Sequence, residues 1–485
     1  MSRPSVPALA SAVLAPLGLA AALLAAPACG PAPAGGKSIL VITMDTTRSD
    51  FLGAYGSELG LTPNVDALAE AGVVYEEAYA PMSQTLPAHA TLFTGLQPRQ
   101  HRALENTYVL DPVFQTLAET CSERGYATGA FVAALVLDQL TGIHQGFDTF
   151  DLPGGVWNED RSGHPPQRKA EEVTKAALAW AGDLDPDQPF LMWAHYYDPH
   201  GDHARGFNPP KRHLKQIPLG KLRKQLARSA PKLEGAPLSG PELEAFWAGY
   251  AAEIRYTDEQ IGLLLQGLRD QGLMDDTVVV VVGDHGEGLY EHGIKAHGVY
   301  VWQELHQVPL IVTHPSGEGA GTRVEGRAIL QDVEPTLQGL AFGEPAGRSD
   351  PSLGIDLWPA AVGGKDLPER PVFLERPHFD KDRVKRRLAG VDLEPRSAYG
   401  FLTAVLQGSH KLIRHPDGTT RVYDLAADPG ETEDLAGQDP RLDGRLEGLV
   451  GAWMDGNEVG PPGEVGEISP EKLETLRALG YLGDG

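Results

Sequence analysis

Short apolar runs alternate with stretches of helical spacing through the first two thirds of the chain. Residues 38–44 (SILVITM), 126–133, 189–195 (PFLMWAH), 277–282 (TVVVVV) and 308–313 read as strands buried on both faces. Between them, residues 62–72, 113–125, 171–182 and 242–272 repeat apolar positions at the period of a helix. This alternation predicts an α/β domain in which helices flank a large, mainly parallel central sheet. After about residue 343 the pattern changes. Residues 371–374, 398–407, 411–414 and 420–423 read as strands, with Pro416-Asp417-Gly418 as a hairpin turn, and residues 442–454 read as helix. That order predicts a smaller C-terminal α+β lobe.

Residues 81–95 (PMSQTLPAHATLFTG) carry a loop into a short apolar segment. Pro87 suits a first helical turn and Gly95 the position just past a helix end, so Thr85 stands at a helix entrance. A hydroxyl there serves as an N-cap. The same place presents free N–H groups and partial positive charge, which suit a bound phosphate or sulfate. Taken alone, Thr85 reads as an N-cap; other parts of the chain change that reading.

Three acid or histidine clusters follow predicted strands: Asp45; His195 through His200; and Asp284-His285, with His292 and His297 further on. An Asp at one strand end is ordinarily a cap, and a lone His ordinarily structural. Three such clusters in one α/β chain gather at the carboxyl edge of the sheet, where ligands bind. Asp, His and a threonine oxygen together make a metal site.

The 485 residues, 41% of them hydrophobic, suffice for a large core. The net charge of −25 argues against a nucleic-acid binder. A basic segment over residues 211–228 departs from that balance and reads either as a solvated helix face or as a cationic flap that draws in an anion. At the N-terminus, Arg3 precedes an apolar run over residues 6–26 and then small residues up to Cys29, as in an export signal. The setting of Cys29 resembles a bacterial lipoprotein box, which implies export to the periplasm or cell envelope and a lipid anchor. The other cysteine, Cys121, falls in a predicted helix and reads as a buried thiol.

The motifs in their order resemble the sulfatase branch of the alkaline phosphatase superfamily. They are Asp45-Thr46-Thr47-Arg48-Ser49-Asp50, Thr62 through Ala69, Thr85 through Gly95, Tyr197-Asp198-Pro199-His200, Gly283-Asp284-His285-Gly286-Glu287 and His297-Gly298, with Gly408 through Ile413 and Tyr423 through Glu431 near the end. The resemblance implies an alkaline phosphatase-like sandwich, with a signal over residues 1–28, a tether over 29–37, a catalytic domain over 38–343, and a smaller lobe and tail over 344–485. It implies that Asp45, Asp284 and His285 hold a divalent metal and that Thr85, bound to that metal, is the nucleophile. Asn106 falls where related phosphodiesterases keep an oxyanion-holding asparagine. His200 and His297 fall where related phosphoethanolamine transferases place histidines, as second-metal ligands or substrate contacts.

Four departures from the usual sulfatase pattern lean towards phosphorus chemistry. Threonine replaces the cysteine or serine that becomes formylglycine; a secondary alcohol oxidises only to a ketone, so formylglycine is not expected. His89 stands where arginine is usual, Asp45-Thr46 where paired aspartates are usual, and His297 where lysine is frequent. The nitrogen of His285 favours zinc or manganese over calcium. The expectation is a metal-dependent hydrolase of small anionic phosphate, phosphonate or sulfate esters, with a phosphoethanolamine-type transferase or a catalytically silent surface binding protein as alternatives.

Overall fold

The computed structural model describes residues 36–152, 167–201, 206–229, 233, 238–343, 353–378 and 400–457. The expected signal, Cys29 and most of the tether lie outside them, as does the turn-rich, polar stretch 154–167, which reads as a surface loop, save Gln167.

The described residues form two sheets. The first comprises β1 (Ser38–Met44), β2 (Val73–Tyr79), β3 (Ala127–Val132), β4 (Thr149–Asp151), β5 (Phe190–Tyr196), β6 (Thr277–Gly283), β7 (Gln307–Val308), β8 (Leu310–Thr313) and β9 (Thr322–Ile329). Their order is β4-β3-β5-β1-β6-β8-β2-β7, with β9 beside β2. From β4 to β6 every pairing is parallel; β8 is antiparallel to both β6 and β2. Strands β1, β5 and β6 bury nearly every residue, as a sheet covered on both faces requires.

β2 and β9 escape the apolar-run criterion for a physical reason. Glu76 and Glu77 of β2 pair with Arg323 and Arg327 of β9, at 2.6 and 3.0 Å. The charges that join the two strands also break their hydrophobic runs. The predicted helices are present: Pro63–Glu70 and Leu117–Glu123 are shorter than the pattern, and Ala170–Ala181 and Gly240–Asp270 are displaced by one or two residues towards the N-terminus. Cys121 is buried as expected, and burial pushes its thiol up to about 12.

The second sheet is antiparallel, β10 (Val372–Arg376), β11 (Leu402–Gln407), β12 (His410–Arg414) and β13 (Thr420–Asp424), backed by the helix Pro440–Gly456. It braces two loops of the first sheet. The Glu375 N–H donates to the Pro81 carbonyl at 2.8 Å, just ahead of Thr85. Buried Lys411 donates to the Val301 carbonyl and pairs with Glu431 at 2.6 Å.

The basic segment forms helices Lys211–Leu214 and Leu219–Arg228. Leu222 and Gln225 face inward, while Arg212 and Arg223 pair with Glu259 and Glu244. Part of its charge is thus neutralised locally.

Candidate active site and metal centre

Asp45 follows β1, and Asp284-His285 follow β6, its parallel neighbour, with Met44 opposite Gly283. Parallel strands bring their carboxyl ends to one edge, and the three side chains meet there. Their ligand atoms lie within 4.8 Å of one another and all are buried. The chain turns at Thr46, whose φ of 52° lies in the left-handed region that a β-branched residue rarely adopts. That turn aims the Thr46 N–H at Asp284 Oδ1, 3.0 Å away. The His285 N–H donates to the same oxygen at 2.8 Å. His285 Nδ1–H donates to the Gly286 carbonyl at 2.9 Å, which leaves the Nε2 lone pair facing Asp284 Oδ2 at 3.4 Å. A side chain at Gly286 would not fit here: a Cβ would fall 2.0 Å from the Glu304 carbonyl oxygen.

Among the described residues, the ion-pair partners of these carboxylates are histidines. His195 Nε2 lies 3.3 Å from Asp45 Oδ2, and His89 Nδ1 lies 3.8 Å from Asp284 Oδ2. Burial holds both histidines below the usual imidazole range, so neither supplies a full positive charge. Arg48 is committed to Asp50 and Glu291, each at 2.7 Å. Burial, and then the charge of Asp284, push the Asp45 carboxyl well above the usual carboxylate range. Asp45 Oδ1, Asp284 Oδ2 and His285 Nε2 are buried without hydrogen-bond partners. Two uncompensated carboxylates and an imidazole lone pair fit a divalent cation.

Thr85 is the first residue of the helix Thr85–Thr94, which ends at Gly95 with φ 65°. The N-cap is Gln84, and the buried Thr85 hydroxyl caps no backbone N–H, so the capping reading does not hold. The hydroxyl is instead placed against Asp45, where it favours the ionised carboxylate. Asn106 attends to the helix end: its Oδ1 accepts from the Leu86 N–H at 2.8 Å. That bond fixes the amide so that Nδ2, buried and unpartnered, is the donor left over.

His297 and His200 stand in a row beside His285. The His297 ring is 4.4 Å from that of His285 and 4.9 Å from that of His200, and His200 stacks on Tyr197 at 4.3 Å. His297 Nδ1 lies 3.3 Å from Glu287 Oε1. His292 does not join them. It pairs with Glu304 at 2.8 Å and the Gly430 carbonyl at 2.9 Å, and stacks on Trp302.

Two residues at the site carry more than the sequence reading gave them. His195 takes an N–H bond from Ala133 on Nδ1 at 3.3 Å, so its proton sits on Nε2, towards Asp45. The signal was its place opposite Thr43 in the β1–β5 register. His89 lies one turn beyond Thr85 and donates Nδ1–H to the Thr85 carbonyl at 2.8 Å. The four-residue spacing was its signal.

The family model named Sulfatase matches residues 37–343. The multifunctional alkaline phosphatase superfamily protein PehA of Trinickia caryophylli is 25% identical, over 83% of this chain and 91% of that protein. The delta 4,5-hexuronate-2-O-sulfatase of Bacteroides thetaiotaomicron is 24% identical, over 83% of this chain and 85% of that one. Among solved structures, the phosphonate monoester hydrolase of Agrobacterium radiobacter superposes with a TM-score of 0.65 at 23% identity, over 86% and 95% of the two chains. That superposition extends the likeness in fold to the second sheet. With the family model spanning the whole first sheet and every strand-end residue described above, the chain belongs to the sulfatase family.

Proposed function

We propose that this sulfatase-family chain is a metal-dependent hydrolase of small anionic esters, with phosphorus esters preferred and Thr85 as the nucleophile. The observation that carries the reading is the Thr85 hydroxyl, buried at a helix N-terminus and set against Asp45. Asp45, Asp284 and His285 would hold the ion, zinc or manganese by virtue of the imidazole nitrogen, with calcium the less favoured alternative. When bound, the ion lowers the pKa of a neighbouring hydroxyl and offsets charge on the ester.

Thr85 passes its proton to Asp45, against which its hydroxyl is set, and its Oγ attacks phosphorus in line. The Oγ–P bond forms, the P–O bond to the leaving group breaks, and the departing oxygen takes a proton from His200 or His297. The Asn106 Nδ2–H, the donor left over once Oδ1 holds the Leu86 N–H, faces the charge that develops. Water then attacks phosphorus and gives a proton to the histidine left without one, the Oγ–P bond breaks, and Thr85 takes its proton back from Asp45.

The preference for phosphorus rests on the alcohol itself. An aldehyde hydrate has a second hydroxyl with which to expel sulfate, and Thr85 has one oxygen only. The test compares an aryl sulfate, an aryl phosphodiester and an aryl phosphonate monoester at matched leaving group on metal-replete protein. A phosphorus ester is expected to give the highest kcat/KM. A higher value for the aryl sulfate than for either phosphorus ester would overturn the preference.

A further inference from the structure

Beside His200 a cavity of about 440 Å³ opens, walled by Tyr197 and Phe207 and lined by Lys169, Asp198 and Glu253. We propose that this cavity is a subsite for a protonated amine carried by the ester substrate, with Glu253 and Asp198 as its acceptors. The proposal rests on the ester-hydrolase reading and adds the chemistry of the group next to the ester.

Glu253 lies well inside the helix Gly240–Asp270 and is 2% exposed. Its Oε1 accepts from the Asn208 N–H at 3.2 Å, and its Oε2 is buried with no hydrogen-bond partner. A buried carboxylate oxygen left without a donor is costly, and on a cavity wall it is a place for a donor from outside. Asp198, two residues before His200, is also buried.

The charge balance selects the donor. Lys169 Nζ lies 3.2 Å from Asp198 and 3.9 Å from Glu253, and its side chain is 46% exposed at the rim. Arg168, on the same wall, is committed to Asp151 at 3.0 Å. With Glu253 ionised, two carboxylates face one half-exposed ammonium. A second ammonium completes the balance, and an anion would meet surplus negative charge. Burial pushes the Glu253 carboxyl up to about 8, and an ammonium bound beside it favours the ionised form. The cavity reaches the His200 ring, and His200, His297 and His285 stand in sequence, so one substrate can span the cavity and the metal centre.

The test measures binding of ω-aminoalkyl phosphonates of graded chain length to metal-loaded protein by calorimetry. Alkyl and hydroxyalkyl phosphonates of the same length are the controls. At the best length the amine is expected to bind about tenfold tighter than either control, which is about 1.4 kcal/mol. Glu253→Gln keeps the shape and should close that gap. Lys169→Met, at the rim, removes the competing ammonium and should widen it. The variants move in opposite directions, so a fault in the folding of one leaves the other decisive. Equal binding of all three classes would overturn the subsite and leave the ester site standing. So would a hydroxyalkyl phosphonate matching the amine, or a gap indifferent to Glu253→Gln. If no phosphonate binds at all, the ester-site reading fails and takes the subsite with it.

Discussion

The Thr43 hydroxyl donates to His89 Nε2 across 3.2 Å, and this one bond gives direction to a chain of three. The indole of Trp193 can only donate, and it gives its N–H to Thr43 Oγ1 at 2.9 Å. Thr43 therefore passes its own hydrogen to His89, and His89 keeps its proton on Nδ1 for the Thr85 carbonyl. The imidazole that replaces the usual sulfatase arginine is thus a neutral brace under the helix that carries Thr85. Thr43→Val would orphan both the Trp193 donor and the His89 acceptor. It is expected to cost about 1–3 kcal/mol of stability, read from denaturant unfolding, and to lower kcat as well. A variant with unchanged midpoint and rate would show that the chain of bonds has no such role.

Asn106 gives a separable prediction. Its Oδ1 holds the helix end and its Nδ2 is left for substrate. Asn106→Asp keeps an oxygen for the Leu86 N–H and loses the donor. kcat should fall by about 10² to 10³, the usual effect of losing one oxyanion donor, with the protein still folded. A fall in KM alone, with kcat intact, would contradict that role.

The site was legible where its residues sat at strand ends, because the order of motifs fixes which strand ends meet. Asp45, Asp284 and His285 needed only two parallel strands to be recognised. The histidines were harder. His200, His297 and His292 look alike in the sequence, and only the packing against Trp302 and Glu304 sends His292 away from the site. His195 and His89 act through strand register and helix pitch, which no motif records. The fold was legible where burial is two-sided. It was illegible at β2 and β9, where cross-strand ion pairs place charges inside strands. Cavities left no trace in the sequence: the lining of the one beside His200 comes from several separate segments.

The metal centre makes its own prediction. Chelation leaves Asp45 and Asp284 facing each other with neutral histidines as their partners. The stripped protein should melt lower, and zinc or manganese should restore the loss. An ion at a hundred times its Kd adds about 2.7 kcal/mol by mass action. Full restoration of stability and activity by calcium, with no response to zinc or manganese, would contradict the argument from the His285 nitrogen.

Glu253 predicts a pH dependence of stability. Burial raises its carboxyl from the ordinary 4.5 to about 8, so between those values the folded chain binds more protons than the unfolded one. Stability from this group is therefore full at low pH and falls as pH rises through that window. Glu253→Gln removes the slope. Relative to wild type, the variant should gain up to a few kcal/mol between about pH 5 and pH 8, measured by denaturant unfolding. A constant difference across that range would place the Glu253 titration elsewhere.

The role of Thr85 is open to direct observation. Metal-replete protein is mixed with an aryl phosphonate monoester, quenched in acid during turnover, digested and analysed by mass spectrometry. The account predicts that the peptide containing Thr85 gains the mass of the phosphonyl group, and that Thr85→Ala shows neither the adduct nor turnover while remaining folded. Turnover in Thr85→Ala above a few per cent of the wild-type rate, or an adduct on any other residue, would contradict it.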